Sequence, residues 1–218
     1  MFTIIKFVLA ALLFALLSYA VLGYVSGSRD ADQHRQTAQT LIETGKGADA
    51  LGPKRIPLLL LVQDPAFHAH EGVDLKTAGA GLTTITQSVS KRLAFENFKP
   101  GISKIKQTTY AMSLEKHLTK NEILALFLDT VPMGQGSNGW TVGFFDASQS
   151  FYGMSPRDLN DNQFIELVSV MIAPGLLNHK SRNEKFTERV KRIERLYKGE
   201  CRPKTNKDVW FEACALKN

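Results

Sequence analysis

Residues 60–74 read LLVQDPAFHAHEGVD, and the change within this stretch from apolar to polar side chains decides how the chain is organised. It continues a run of leucines that begins at Leu58. The run predicts a buried segment, although periodicity alone fits a helix and a strand equally. Several polar side chains follow at once, and such a concentration is typical of a functional site: Gln63, Asp64, His68, His70, Glu71 and Asp74. At the junction, where a general base is expected, stands the uncharged carboxamide of Gln63.

The two histidines of this stretch do not complete a metal site. His68 and His70 alternate, so in an extended segment both would face one side and form half of a site. No third ligand follows at a recognisable spacing. We therefore favour structural roles for both and predict no metal centre.

The chain begins with its most apolar segment. After Lys6, no charged side chain occurs from Phe7 to Val25, and a membrane-spanning helix needs roughly 20 apolar residues. A cleaved signal peptide is the alternative, because residues 18–20, SYA, resemble a small-x-small cleavage site. A cleavable apolar region is typically shorter, roughly 7–15 residues. We predict an uncleaved anchor over residues 1–25, and Lys6 favours a cytoplasmic N terminus and an exported body.

The remainder predicts one mainly α domain on a stalk. With 44% apolar and 22% charged residues, the chain of 218 residues has a globular composition. Residues 26–55 are predicted to form the stalk, with a polar helix from Asp30 to Glu43. The domain then occupies residues 56–198, and residues 199–218 form a tail. The net charge of +6 suits nucleic acid, anionic lipid or a phosphate-bearing substrate, or a merely solvated surface.

Local signals mark most helix boundaries. Starts are predicted at Thr83 or Thr84, at Thr119 with Glu122 in a capping box, and at Asn160 or Asp161. An amphipathic basic helix ends at Gly199. Residues 133–140, MGQGSNGW, are predicted as a glycine-rich loop. Glycines before the first of these helices suit an anion, or simply make a tight turn, and they do not form a P-loop.

The tail contains both cysteines, Cys201 and Cys214. In an oxidising compartment they would close a small loop worth roughly 3 kcal/mol. Two free thiols in a mobile tail are the alternative. Neither has the His or Cys partners that a zinc site needs.

In this order the motifs resemble the peptidoglycan glycosyltransferase family, the transglycosylase domain of penicillin-binding proteins and monofunctional transglycosylases. The family pattern Glu-Asp-x-x-Phe-x-x-His-x-Gly corresponds to residues 63–72, QDPAFHAHEG. The pattern Gly-Gly-Ser-Thr-Ile-Thr-Gln-Gln-x-x-Lys corresponds to residues 81–91, GLTTITQSVSK. The pattern Arg-Lys-x-x-Glu begins at residue 103 in SKIKQ, and residues 122–140 and 151–153 match later elements. The resemblance extends from about Ile56 to Leu196.

The resemblance implies a lysozyme-like, mainly α domain behind one transmembrane helix, on the outer (periplasmic) face of a bacterial cytoplasmic membrane. It implies lipid II or the nascent glycan strand as ligand, and other cell-wall synthesis proteins as further partners, without nucleic acid. One Glu would act as general base on the acceptor hydroxyl, and a second would assist the departing pyrophosphate. No cofactor is predicted, although a divalent cation at the pyrophosphate is left open.

The two acid positions of the family are here Gln63 and Gln107, which the resemblance places across a cleft from each other. A carboxamide keeps the shape of Glu but accepts no proton at neutral pH. Loss of general base catalysis typically costs ~10²–10⁴-fold in rate. The resemblance assigns substrate binding to Asp64, Thr84, Gln87, Lys91, Lys99 and Lys106. Ser103 replaces a typical Arg, and the link from Glu71 to Gly81 is shorter than in the family.

Three hypotheses follow. The first is a family enzyme that is impaired, or rescued by Asp64, Glu71 or Glu115. The second is a non-catalytic binder of lipid II, nascent glycan or a cell-wall synthesis partner. The third, a lysozyme-like hydrolase, needs an acidic general acid in the cleft, and the two carboxamides count equally against it.

Overall fold

The longest element is an N-terminal helix, α1 (Phe2–Glu43), in a computed structural model that describes residues 2–177 and 179–216. The side chains from residue 3 to residue 17 are exposed. By length and composition this is one helix able to cross a membrane. The predicted start of a separate helix at Asp30 is wrong. α1 continues through Asp30, so there is no helix end for it to cap, and its carboxylate accepts a hydrogen bond from the Tyr110 hydroxyl at 3.1 Å.

The second half of α1 packs along α4 (Ser103–His117). Small residues occupy the buried side of α1: Gly23 and Gly27 face α4, and Ala31 and Ala38 are buried further along the helix. A Cβ atom at Gly27 would lie 2.8 Å from the Cβ of Ser113, so the backbones approach more closely than larger side chains allow. This part of the segment predicted as a stalk is therefore joined to the domain.

The remaining helices are α2 (Arg55–Gln63), α3 (Ile85–Leu93), α5 (Lys120–Thr130), α6 (Phe144–Tyr152), α7 (Asp161–Ser169) and α8 (Glu184–Tyr197). The residues of α5 from Ile123 to Leu128 are all buried, and α5 packs against α1, α3, α4 and α6. Short 3₁₀ turns occupy Ala48–Leu51, Val170–Ile172 and Glu212–Cys214. The leucine run belongs to α2 and is thus helical. The mainly α, lysozyme-like prediction is confirmed.

Three helices begin where their side chains predict. Thr84, Thr119 and Asn160 each accept a hydrogen bond from the third residue of the helix that follows. The side chains of Gln87, Glu122 and Gln163 return the bond to the cap backbone and complete three capping boxes. These predictions are confirmed.

The glycine-rich loop prediction for residues 133–140 is wrong, because this stretch forms an antiparallel hairpin of β1 (Pro132–Gly136) and β2 (Gly139–Val142). Its short, glycine-rich strands lack the alternation of apolar and polar residues that announces a sheet. β1 forms where the chain packs against a segment distant in the sequence. A Cβ at Gly134 would lie 2.5 Å from the Pro174 carbonyl oxygen, so β1 packs directly on the backbone after α7.

The tail folds back onto α8. Cys201 and Cys214 are joined by a disulfide, and we call the enclosed residues 201–214 the strap. Three arginines of α8 donate to strap or neighbouring carbonyls: Arg189 to Val209 at 2.6 Å, Arg192 to Trp210 at 3.1 Å and Arg195 to Cys214 at 2.8 Å. The Phe211 side chain is fully buried. The basic face of α8 therefore binds the strap.

Candidate functional site

Asp64 ties the first motif to the second. Its buried carboxylate accepts the backbone N–H of Ile85, the first residue of α3, at 2.9 Å and the Nε2 of His70 at 3.0 Å. His70 Nδ1 accepts the N–H of Gly72, so Nε2 carries the proton that is donated to Asp64. Both groups are thus committed to positioning α3. Asp64 is 1% exposed, which leaves it unable to take the place of Gln63 as a base in this conformation.

Gln63 ends α2 and is partly exposed. Its amide donates to the Val168 carbonyl at 3.4 Å. The side chain lines a cavity of about 220 Å³ together with the turn at residues 79–83, Ile172 and Val209. A ligand in this cavity would meet a carboxamide at the position where the family resemblance expects a carboxylate.

Gln107 is enclosed within the domain. It lies on α4, is 1% exposed and donates its amide to the Gln87 carbonyl at 2.7 Å. Within the described residues its Oε1 has no hydrogen-bond partner. Gln107 is not among the residues that line the cavity at Gln63. The structure therefore gives the two carboxamides different surroundings, because α3 covers one of them.

Thr84 and Gln87 serve the fold directly. Both are 3% exposed. Besides its capping bond, the Thr84 hydroxyl donates to the Gly72 carbonyl at 2.8 Å, and the Gln87 amide donates to Thr108 at 3.0 Å. These two side chains hold the start of α3 against the first motif and against α4. Their assignment as ligand-binding residues stays a prediction.

Two lysines lie on neighbouring helices, Lys91 in the last turn of α3 and Lys104 in the first turn of α4. Burial, and then the charge of Arg92, lower the pKa of Lys91. Burial, and then the charge of Lys91, lower the pKa of Lys104. The Lys104 ammonium also donates to the Thr83 hydroxyl at 3.0 Å. Both ammonium groups add to the positive potential that an anion would meet on this side of the domain.

The other two lysines predicted to bind substrate, Lys106 and Lys99, make different contacts from Lys91 and Lys104. The Lys106 ammonium sits 5.2 Å above the centre of the Phe95 ring, and Lys99 is exposed. Across the described ranges, none of Lys91, Lys99, Lys104 and Lys106 forms an ion pair with a carboxylate. This side of the domain therefore carries uncompensated positive charge.

The two remaining candidate acids, Glu115 and Glu71, differ in whether other groups bind their carboxylates or leave them exposed. Glu115 is bound by the Thr86 hydroxyl and by the Lys120 ammonium at 2.8 Å, so it is held in a structural network. Glu71 is exposed. In the part of the chain that the structure describes, no three His, Cys, Asp or Glu side chains cluster as metal ligands.

Sequence reasoning missed two residues at this site. Arg189 and Val209 line the cavity at Gln63 although both lie far from the first motif. Arg189 is 2% exposed, and burial lowers its pKa to about 10. A signal was present, because Arg189 falls within the apolar stripe of α8 between Phe186 and Ile193. A cation in such a stripe predicts a buried polar partner.

These features define a class of protein: a mainly α, lysozyme-like domain behind an apolar N-terminal helix, with lysines on the capped helix α3 and on the neighbouring α4. The transglycosylase family model matches residues 37–197, and the chain belongs to this family. The match begins within α1 and ends with α8, so the strap lies beyond it.

Relatives share this region. Over 116 residues the chain is 34% identical to penicillin-binding protein 1A of Clostridium perfringens, covering 45% of this chain and 16% of that protein. Over 134 residues it is 31% identical to penicillin-binding protein 1B of Buchnera aphidicola, covering 56% and 18%. Over 151 residues it is 28% identical to the monofunctional glycosyltransferase of Staphylococcus saprophyticus, covering 61% and 54%. The chain thus spans a small part of the first two relatives and about half of the third.

Proposed function

We propose that this protein binds lipid II, or the nascent glycan strand, at the outer face of the bacterial cytoplasmic membrane without efficient polymerisation. One observation carries the proposal: both family acid positions are carboxamides, and Gln107 uses its amide as a buried donor to the Gln87 carbonyl. A carboxylate cannot make that bond unless it is protonated. The surroundings of residue 107 therefore favour the carboxamide of Gln over the carboxylate of Glu.

Proton chemistry is the weak part of the site. Attack by a sugar hydroxyl needs a base within hydrogen-bond reach, and Gln63 offers none. Asp64 is buried with both oxygens engaged, and Glu115 is paired with Lys120. Glu71 is the remaining candidate, since it is exposed. We expect that any residual turnover depends on Glu71.

Anion binding is the better supported part. Burial, and then the charge of Lys91, lower the pKa of Lys104, and neither lysine forms an ion pair with a carboxylate within the described residues. A pyrophosphate between them would relieve this repulsion. A divalent cation at that pyrophosphate stays an open part of the proposal. The apolar half of α1 would hold the domain at the membrane in which such a lipid resides.

The test uses the full chain in detergent with labelled lipid II. Polymer formation and lipid II binding are measured for the unmodified protein, Gln63→Glu, Gln107→Glu and the double variant. We expect the unmodified protein to bind lipid II without forming polymer. Rapid polymerisation by the unmodified protein would refute the proposal, as would a failure to bind both lipid II and a glycan strand. Polymer formation by the double variant alone would show that the carboxylates are the missing parts.

The Gln107→Glu variant has a cost that must be measured beside its activity. The new carboxyl would be buried against the Gln87 carbonyl, and its pKa would rise above the unfolded value. Such a group stabilises the fold at low pH, and this contribution is lost as pH rises through the folded pKa. We expect a loss of roughly 1–3 kcal/mol in unfolding free energy at pH 8 and a smaller loss at pH 5. Urea denaturation measures both, and Gln63→Glu, at a partly exposed position, is the matched control.

A further inference from the structure

The turn before α3 is covered by the strap. Its glycine N–H groups, which the sequence offers to an anion, donate instead to strap carbonyls: Gly79 to Thr205 at 2.9 Å and Gly81 to Asn206 at 2.8 Å. The Asn206 amide in turn donates to the carbonyls of Gly81 at 2.7 Å and Thr77 at 3.2 Å. Strap and turn thus satisfy each other's backbone groups.

Close packing reinforces these bonds. A Cβ at Gly81 would lie 2.7 Å from Val209 Cγ1, and a Cβ at Gly79 would lie 2.8 Å from Pro203 Cγ. Both glycines have positive φ, +72° and +80°, so other residues would be strained there as well as crowded. Val209 also lines the cavity at Gln63. The strap is consequently one wall of the candidate site.

The strap is held in place by one disulfide and by noncovalent contacts. The disulfide closes residues 201–214 into a loop, which limits the conformations that the segment can adopt when it leaves the turn. The guanidinium of Arg189, stacked 4.5 Å from the centre of the Phe211 ring, holds the Val209 carbonyl. Arg189 and Phe211 remain when the disulfide is reduced, so the covalent fastening can be tested separately.

We propose that the strap is a redox-fastened lid over the turn at residues 79–83 and the cavity beside Gln63. A dithiol reductant transfers two electrons and two protons to the Cys201–Cys214 disulfide. The S–S bond breaks, two thiols form, and the reductant becomes a disulfide. The freed strap then leaves the turn more often and exposes the N–H groups of Gly79 and Gly81. This inference goes beyond the proposed function and holds whether or not lipid II binds.

Amide hydrogen exchange on the full chain tests the lid. In the oxidised protein, the amides of Gly79 and Gly81 should exchange slowly. With a small dithiol reductant, or in the Cys201→Ser/Cys214→Ser double variant, they should exchange faster by on the order of 100-fold. The amides of α3, α4 and α5 should keep their protection. Equal exchange at the two glycines in both redox states would overturn the proposal, as would an equal rise throughout α3–α5.

A second pair of variants separates the hydrogen bonds from the disulfide. Asn206→Ala removes the two side-chain bonds to the turn and should raise exchange at Gly81 in the oxidised protein. Lys207→Ala, at an exposed neighbouring position of the strap, is the matched control and should leave exchange unchanged. The same effect from both variants would contradict the lid. Lipid II binding is scored separately, so its failure would not be confused with failure of the lid.

Discussion

At Gln63 and Gln107 the chemistry depends on one atom of each side chain, a nitrogen in place of a carboxylate oxygen. In each, an NH₂ group stands where a carboxylate would have an oxygen, and it acts as a donor: to the Val168 carbonyl from Gln63 and to the Gln87 carbonyl from Gln107. The Gln107 bond is short and buried, whereas the Gln63 bond is long and partly solvated. The carboxamide is therefore held more firmly at Gln107, on α4, than at Gln63, on α2. We expect the Gln63 position to accept a carboxylate more easily.

Replacing Lys104 with methionine should separate stability from anion binding. Lys104→Met keeps the length of the side chain and removes a charge that Lys91 repels. Unfolding free energy should rise by at most about 1 kcal/mol near pH 7, because both ammonium groups are partly solvated. Binding of lipid II should weaken.

The pH dependence gives the check on Lys104→Met. A lysine whose pKa is lowered in the fold destabilises the folded state while it is charged, and this penalty fades as pH rises through the folded pKa toward 10.5. The stability difference between variant and parent should therefore shrink as pH approaches 10.5. Urea denaturation at pH 7 and pH 10 measures it, with Lys99→Met, at an exposed position, as control. A constant difference would argue against repulsion as its cause.

At the level of elements, α3 is the point where the motifs meet. Its cap residue Thr84 binds the Gly72 carbonyl, its first N–H binds Asp64, and its carbonyl at Gln87 receives the Gln107 amide. Among the described residues, the side chain of Asn160 by contrast is bonded only within its own capping box. The position of α3 is therefore set by bonds from two other segments, the first motif at residues 63–72 and α4.

This difference predicts unequal costs for the same kind of substitution. Thr84→Ala removes the cap and leaves the Gly72 carbonyl without its donor, and should lower unfolding free energy by about 2–3 kcal/mol. Asn160→Ala removes a cap at an exposed helix start and should cost about 1 kcal/mol. Thr84→Ser keeps the hydroxyl and should recover most of the loss. Denaturant unfolding compares the three, and equal costs at positions 84 and 160 would disprove the added role of Thr84.

For the whole molecule, the continuity of α1 links the apolar segment to the domain. The helix runs from residue 2 to residue 43 without interruption, and its buried Gly23 and Gly27 lie against α4. Because α4 also carries Gln107 and Lys104, the orientation of the candidate site relative to the apolar helix depends on this packing. A flexible stalk would leave that orientation free.

Enlarging one glycine should break this arrangement. Gly27→Leu places side-chain atoms where a Cβ already comes within 2.8 Å of Ser113, so α1 must move away from α4. Cysteines introduced by Ser28→Cys and Ser113→Cys, whose hydroxyls are 2.9 Å apart, should cross-link readily in the parent. Cross-linking should become slower by roughly ten-fold or more with Gly27→Leu. Gln36→Leu, on the exposed side of α1, should leave the rate unchanged; slowing there too would point to a general loss of structure.

The sequence by itself determined the features that depend on neighbouring residues. The caps at Thr84, Thr119 and Asn160 are bonds between residues three apart, and the apolar segment needs only its own composition. The carboxamides at positions 63 and 107 are visible in the letters themselves. Such features need no knowledge of what packs against them.

Tertiary structure alone decided what depends on distant segments. Gln107 is buried because α3 covers it, and the strap closes on Gly79 and Gly81 from more than 120 residues away. The hairpin at residues 132–142 and the continuation of α1 past Asp30 likewise depend on partners elsewhere in the chain. Whether a group is buried or has a hydrogen-bond partner depends on the segment that packs against it. A local stretch of sequence does not show which segment that is.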